Sequence, residues 1–146
     1  MDYIEKATAF ETYLNETENG FVREDMSGGI LFTFSDADGL GYGVTFPKEG
    51  EIRAAVAVHA FGAQPDMAQE LILHMFNQMN TQLVLCKAYW DENGVVWLSA
   101  PYYETGHFEP ALLMQMVLTV GGQAGPFGQA VGQVMGALAP EGEGHA

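Results

Sequence analysis

The sequence predicts an α+β fold: an antiparallel sheet of about five strands with flanking helices, in the order α-βββ-α-ββ-α. Three observations carry this. Residues 3–14 and 67–80 place apolar side chains at three-and-four spacing, the period of a helix. Residues 30–34, 40–46 and 52–58 instead show the two-residue period of a strand, with turn residues between them. Asn93-Gly94 then joins two further apolar stretches in the manner of a hairpin.

The first helix carries Tyr3, Ile4, Ala7, Phe10 and Leu14 on one face, with Asp2 as its N-cap and Asn19-Gly20 as its C-terminal cap. Phe21 to Asp25 reads as a short strand or a sheet edge. Ile30, Phe32 and Phe34 form a strand, and Asp36-Ala37-Asp38-Gly39 turns the chain. Leu40, Tyr42, Val44 and Phe46 alternate with Gly41, Gly43 and Thr45, giving one bulky face and one smooth face expected to lie against a neighbour. Ile52, Ala54, Val56 and Val58 complete a three-stranded meander. Pro65 suits the first turn of a second helix, on which Met67, Leu71, Met75 and Met79 share a face.

The hairpin has two registers. A two-residue Asn-Gly loop sets Trp90 opposite Trp97 and Tyr89 opposite Leu98, on shared faces, and is preferred. A four-residue loop from Asp91 to Gly94 would instead pair Trp90 with Val95. Glu109-Pro110 opens the last helix, with the acid near the positive end of the helix dipole. From Leu112 to Val120 that helix is apolar on nearly every side, which predicts burial on more than one side. Gly121-Gly122 and Pro126 break or kink it, leaving one helix, two, or an irregular segment. Gly128, Gly132 and Gly136 recur at four-residue spacing and allow close approach of another backbone. No charged residue occurs from Pro110 to Pro140, so this region lies beneath the fold or forms a subunit interface. One domain is expected over residues 1–138, followed by a flexible acidic tail, 139–146.

Nineteen acidic residues against five basic ones give a net charge of −14. DNA affinity comes largely from Lys and Arg, here scattered as Lys6, Arg23, Lys48, Arg53 and Lys87, so direct nucleic-acid binding is not expected. The apolar runs fall short of the roughly 20 residues a membrane helix needs. The N-terminus, MDYIEKATAF, is acidic and has no signal-peptide pattern, which predicts a cytoplasmic protein. An acidic surface keeps a protein soluble, or steers it to a basic partner.

An apolar helix ending in Asn77-x-x-Asn80, a strand with central Lys87, an acidic turn with Gly and an apolar strand together resemble the YbjN family. These small bacterial proteins are described as sensory-transduction regulators, with a fold similar to class I type III secretion chaperones. The resemblance runs from Tyr3 to about Leu138 and departs from the family pattern at the glycine-rich segment Gly121 to Gly136. It implies a type III chaperone-like fold and a homodimer that holds a client segment.

The catalytic and metal patterns fail on spacing. A calcium loop starting at Asp36 would place Leu40 at a ligand position and Pro47 at the closing Glu. Gly39, Gly41 and Gly43 precede a strand rather than a helix N-terminus, so they make no phosphate cradle. His59, His74, His107 and His145 lack zinc spacing, and Cys86, the sole cysteine, lies mid-strand as a buried structural thiol. No catalytic set, cofactor site or metal site emerges.

The expected function is therefore a non-enzymatic, homodimeric adaptor, chaperone-like or regulatory. Its partner would be basic, such as a DNA- or RNA-binding protein. Leu112, Leu113, Met116, Val117, Val120, Gly128, Gly132 and Gly136 are the expected dimer surface, and Met67, Met75, Met79, Trp90 and Trp97 the expected partner groove. The alternative is a small-molecule-sensing regulatory domain with a pocket near Trp90, Trp97 and Tyr102.

Overall fold

The computed structural model describes the chain apart from Asp38, residues 61–69, Leu71, Ile72, Met75, Met79, Gln82, Val84, Leu85, residues 92–94, Thr105 and residues 139–146. For residues 59, 60, 90, 131 and 134–138 it describes the backbone. An N-terminal helix, Tyr3–Glu16, precedes strands β1 (Val22–Met26), β2 (Gly29–Ser35), β3 (Gly41–Pro47) and β4 (Ile52–Ala60). Helical residues at Glu70, Leu73, His74 and 76–78 follow. Then come β5 (Lys87–Trp90), β6 (Val95–Tyr102) and a C-terminal helix, Pro110–Leu138.

Among the described residues the strands form one antiparallel six-stranded sheet, ordered β1-β2-β3-β4-β6-β5. The architecture is thus α+β, with six strands rather than about five. The added strand is the segment read as a strand or an edge. Val-Arg-Glu-Asp-Met has no apolar alternation, but it pairs with β2 from Val22–Thr33 to Met26–Gly29 and forms one edge of the sheet.

The N-terminal helix starts at the expected cap. The Glu5 amide donates to Asp2 Oδ1 at 2.8 Å, and the Asp2 amide donates back to Glu5 Oε1 at 3.3 Å. Its end differs from expectation. The left-handed residue is Glu18, at φ +59°, not Gly20. Asn19 N–H bonds the Leu14 carbonyl at 2.9 Å and Glu18 N–H bonds that of Asn15 at 3.2 Å, closing the helix two residues earlier.

One face of the sheet carries the core. Phe32, Val44, Phe46, Val56, Val96 and Leu98 are fully buried there. Phe10 and Leu14 reach them from the N-terminal helix, and Phe10 meets Phe32 edge-on at 5.4 Å between ring centroids. The C-terminal helix adds Leu113, Val117, Val120, Ala124 and Phe127 at three-and-four spacing.

That last helix is unbroken, so of the alternatives left open by Gly121, Gly122 and Pro126 the chain takes the single helix. Pro126 removes the donor that the Gly122 carbonyl would accept from. Gly122, Gly125 and Pro126 all lie on the exposed side, where a freed carbonyl faces solvent, while Ala124 and Phe127 anchor the inner side. Among its described side chains the helix also buries a single stripe, not several, and leaves Leu112 at 46% and Leu118 at 54% exposure. Its glycines do admit close neighbours. A Cβ on Gly121 would overlap the Tyr42 hydroxyl, and one on Gly128 would lie 3.0 Å from Val58 Cγ1. Val58 is the extra residue of a bulge between the Ala57–Trp97 and His59–Val96 pairs.

Candidate functional site

The other face of the sheet holds the site. Along β3 the core-facing Tyr42, Val44 and Phe46 alternate with Gly41, Gly43 and Thr45. Along β4, Ala55 and Ala57 fall on this second face, and along β6 so do Trp97 and Ser99. The registers Thr33–Gly43, Gly43–Ala55 and Ala55–Ser99 line small residues up across four strands. The smooth face expected to lie against a neighbour is therefore real, but among the described residues no helix covers it. It forms a trough of about 650 Å³, within the usual range for small-ligand sites.

Trp97 and Tyr89, paired across β5 and β6, wall one end of the trough. Arg53, paired with Thr45, stands at the other. Among the described residues Arg53 is the only charged one lining the trough, and it makes no ion pair with any of them. Burial, then the Asp91 carboxylate, push the Tyr89 hydroxyl above its ordinary pKa, while the Arg53 guanidinium pulls it down. The Arg53 charge thus reaches along the trough towards Tyr89.

Two clamps hold the aromatic wall. Asp91 Oδ2 accepts from Trp97 Nε1 at 2.8 Å, and Oδ1 accepts from the Val95 amide at 3.0 Å. On the outer edge, the side chain of Asn80 stands in for a missing strand. Its Oδ1 accepts from the Ala88 amide at 2.6 Å and its Nδ2 donates to the Ala88 carbonyl at 3.4 Å. Lys87 Nζ donates to the Asn80 carbonyl at 2.8 Å. The Asn80 and Lys87 that carry the family resemblance are thus contact partners. Asn77 is exposed.

The hairpin register corrects the preferred reading. Tyr89 pairs with Trp97 and Trp90 with Val96, one residue away from either register considered. Asp91 N–H bonds the Val95 carbonyl at 3.0 Å, so three residues rather than two connect the strands. A one-residue slip exchanges faces. Trp97 lies on the open face, while the position of Trp90 falls on the face of Val96. Tyr102 is buried in the core face, so the pocket expected near Trp90, Trp97 and Tyr102 is not assembled from those three.

The remaining expected residues divide similarly. Met67, Met75 and Met79 lie outside the described residues, so the groove expected from them is represented by Trp97. Leu113, Val117 and Val120 are buried within this protomer against its own sheet, which removes them from the expected dimer surface. Leu112 stays exposed, Met116 is half-buried against the core, Gly128 is against Val58 and Gly132 is open. Gly136 lies within the helix. Tyr89, Arg53 and the Gly-Ala-Ser floor were missed as site residues. Their signal was the small-residue alternation at Gly41, Gly43, Ala55 and Ala57.

Cys86 is buried, and its thiol donates to Gln123 Oε1 at 3.6 Å. Burial raises its pKa, against a smaller lowering by Lys87. Among the described residues no group of three or more His, Cys, Asp and Glu side chains could hold a metal ion. None of the described helices is long and apolar enough to cross a membrane. Compared with protein-family models and with curated proteins, the chain matches none.

Proposed function

We propose that this chain is a non-enzymatic, homodimeric adaptor, chaperone-like or regulatory, that holds a basic partner such as a DNA- or RNA-binding protein. The supporting observation is the unbalanced charge. Nineteen carboxylates stand against five Lys and Arg side chains, and the ion pairs among the described residues include Lys6–Glu104, Arg23–Glu11 and Arg23–Asp25. Glu16, Glu18 and Glu24 are exposed near the free edge strand β1. Such a surface raises the encounter rate with a basic protein and repels nucleic acid.

The proposed self-contact uses the exposed side of the C-terminal helix at Leu118, with Leu112 about a third of a turn round it. No charge occurs on that helix, so two copies of a −14 chain can meet there without opposing carboxylates. The test is sedimentation of the wild type and Leu118→Asp, with binding of a captured partner measured at low and high salt. A dimer lost in Leu118→Asp and a partner released by salt are expected. A wild-type monomer would end the dimer proposal, and salt-indifferent binding the basic-partner proposal.

A second reading, a small-molecule-sensing regulatory domain, is favoured by one observation: the open trough walled by Tyr89 and Trp97. In this reading a ligand occupies the sheet face and alters partner binding elsewhere on the molecule.

A further inference from the structure

We propose that the trough binds a small aromatic carboxylate, with its ring on the glycine–alanine floor beside Trp97 and Tyr89 and its carboxylate on Arg53. The proposal rests on the ligand-sensing reading and adds the chemical class of the ligand.

Three features select that class. The floor is flat and low because Gly41, Gly43, Ala55 and Ala57 project little above the sheet, which leaves room for a planar ring to lie down. The wall is aromatic, and offset or edge contacts between rings add to simple burial. Trp97 is already fixed in orientation by its bond to Asp91, so less side-chain freedom is lost on binding.

The charge distribution then distinguishes anion from cation. Among the described residues no carboxylate lines the trough. Asp91 lies near the wall but is engaged with Trp97 and Val95. Glu49 and Glu51 flank Arg53 on its outer side, across a separate hollow, without forming an ion pair with it. Arg53 presents a planar guanidinium, whose fork of donors fits a carboxylate. The long-range field of a −14 protein attracts cations and repels anions. A preference for an anion must therefore arise locally, at Arg53.

The experiment is a calorimetric titration of the full chain with three probes sharing one ring: 2-naphthoate, 2-naphthylmethanol and 2-naphthylmethylammonium. It is run on wild type, Arg53→Gln and Gly43→Leu, with thermal unfolding to confirm that each variant folds and sedimentation to give its oligomeric state. A Cβ at Gly43 meets only Leu31 Cδ1, at 3.7 Å, so Leu there fills the trough without entering the core. The expected result is naphthoate bound about fivefold tighter than the alcohol, the ratio an exposed ion pair supports, and the ammonium weakest. Arg53→Gln should abolish the difference between naphthoate and the alcohol, and Gly43→Leu should abolish binding of both. Ammonium binding equal to or tighter than naphthoate, if lost in Gly43→Leu, would overturn the anionic class and leave the ligand-sensing reading standing. Absence of binding by all three, or binding unchanged by Gly43→Leu, would overturn both. A wild-type dimer that Gly43→Leu dissociates would assign the face to a second copy and also overturn both.

Discussion

Asn80 offers the most direct test of how the aromatic wall is held. Replacing it with Ala removes two hydrogen bonds to the backbone of Ala88, one at 2.6 Å and one at 3.4 Å. The first has good length and the second is near the limit for such a bond. A net value of about 1 kcal/mol for the first and less for the second, plus the unpaired Ala88 amide in a partly buried setting, gives about 2 kcal/mol. In a domain of this size that lowers Tm by about 5 °C. Asn80→Asp keeps the acceptor for the Ala88 amide but sets a carboxylate oxygen against the Ala88 carbonyl, so it should also be less stable than wild type. Thermal unfolding by circular dichroism gives the total, and hydrogen exchange at the Ala88 amide locates it. If Asn80→Ala changes stability by less than about 0.5 kcal/mol, or leaves Ala88 protection unchanged, the clamp is not what holds this edge.

Further outcomes follow from other residues. Glu18 occupies a left-handed position and adds negative charge at the negative end of a helix. Glu18→Gly should stabilise by about 0.5–1 kcal/mol and Glu18→Ala by less; an equal gain would refute the backbone argument. Leu113→Asp and Val117→Asp should unfold the protomer, with a loss of several kcal/mol, whereas Leu112→Asp should give a folded chain by circular dichroism. The raised pKa values of Cys86 and Tyr89 mean that the folded state keeps protons the unfolded state releases. Their contribution is complete below about pH 9 and is lost as pH rises through the folded values, so chemical unfolding midpoints should fall above that pH. Cys86→Ala should soften this alkaline fall, and the native thiol should react with a disulfide reagent far more slowly than the thiol in urea.

Much of the core face was legible in the sequence because period-two alternation reports it directly: Ile30 and Phe32, Tyr42 to Phe46, Ile52 to Val56. What escaped has separable causes. Strand β1 is hydrophilic because an edge strand exposes most of its side chains, so it carries charge instead of alternation. The hairpin register is decided by the Asp91–Val95 bonds, which outweigh the local preference of Asn93-Gly94 for a two-residue loop. The C-terminal helix is apolar all round, so its composition could not say which stripe, Leu113 or Leu112, meets the sheet. The small residues of the trough announced a smooth face; whether a neighbour covers it depends on tertiary packing. The residues behind the YbjN resemblance, Asn80 and Lys87, fasten an edge strand. That likeness concerns how the chain is built, while the adaptor proposal rests on charge and surface.

The strand order also sets a schedule for synthesis. Strands β1 to β4 pair with their sequence neighbours, so the N-terminal half closes through short turns as it emerges. Strand β4 then waits for β6, whose first residue lies about 35 residues after Ala60, a delay of a few seconds at about 5–20 residues per second. During that interval one long edge, Ile52–Ala60, stands unpaired, and its inner face lacks the C-terminal helix. A nascent chain stalled there presents a strand edge bearing one charge, Arg53, to any other chain nearby. Aggregation during production is therefore expected to respond to translation rate between residues 61 and 95 more than to changes in the N-terminal half.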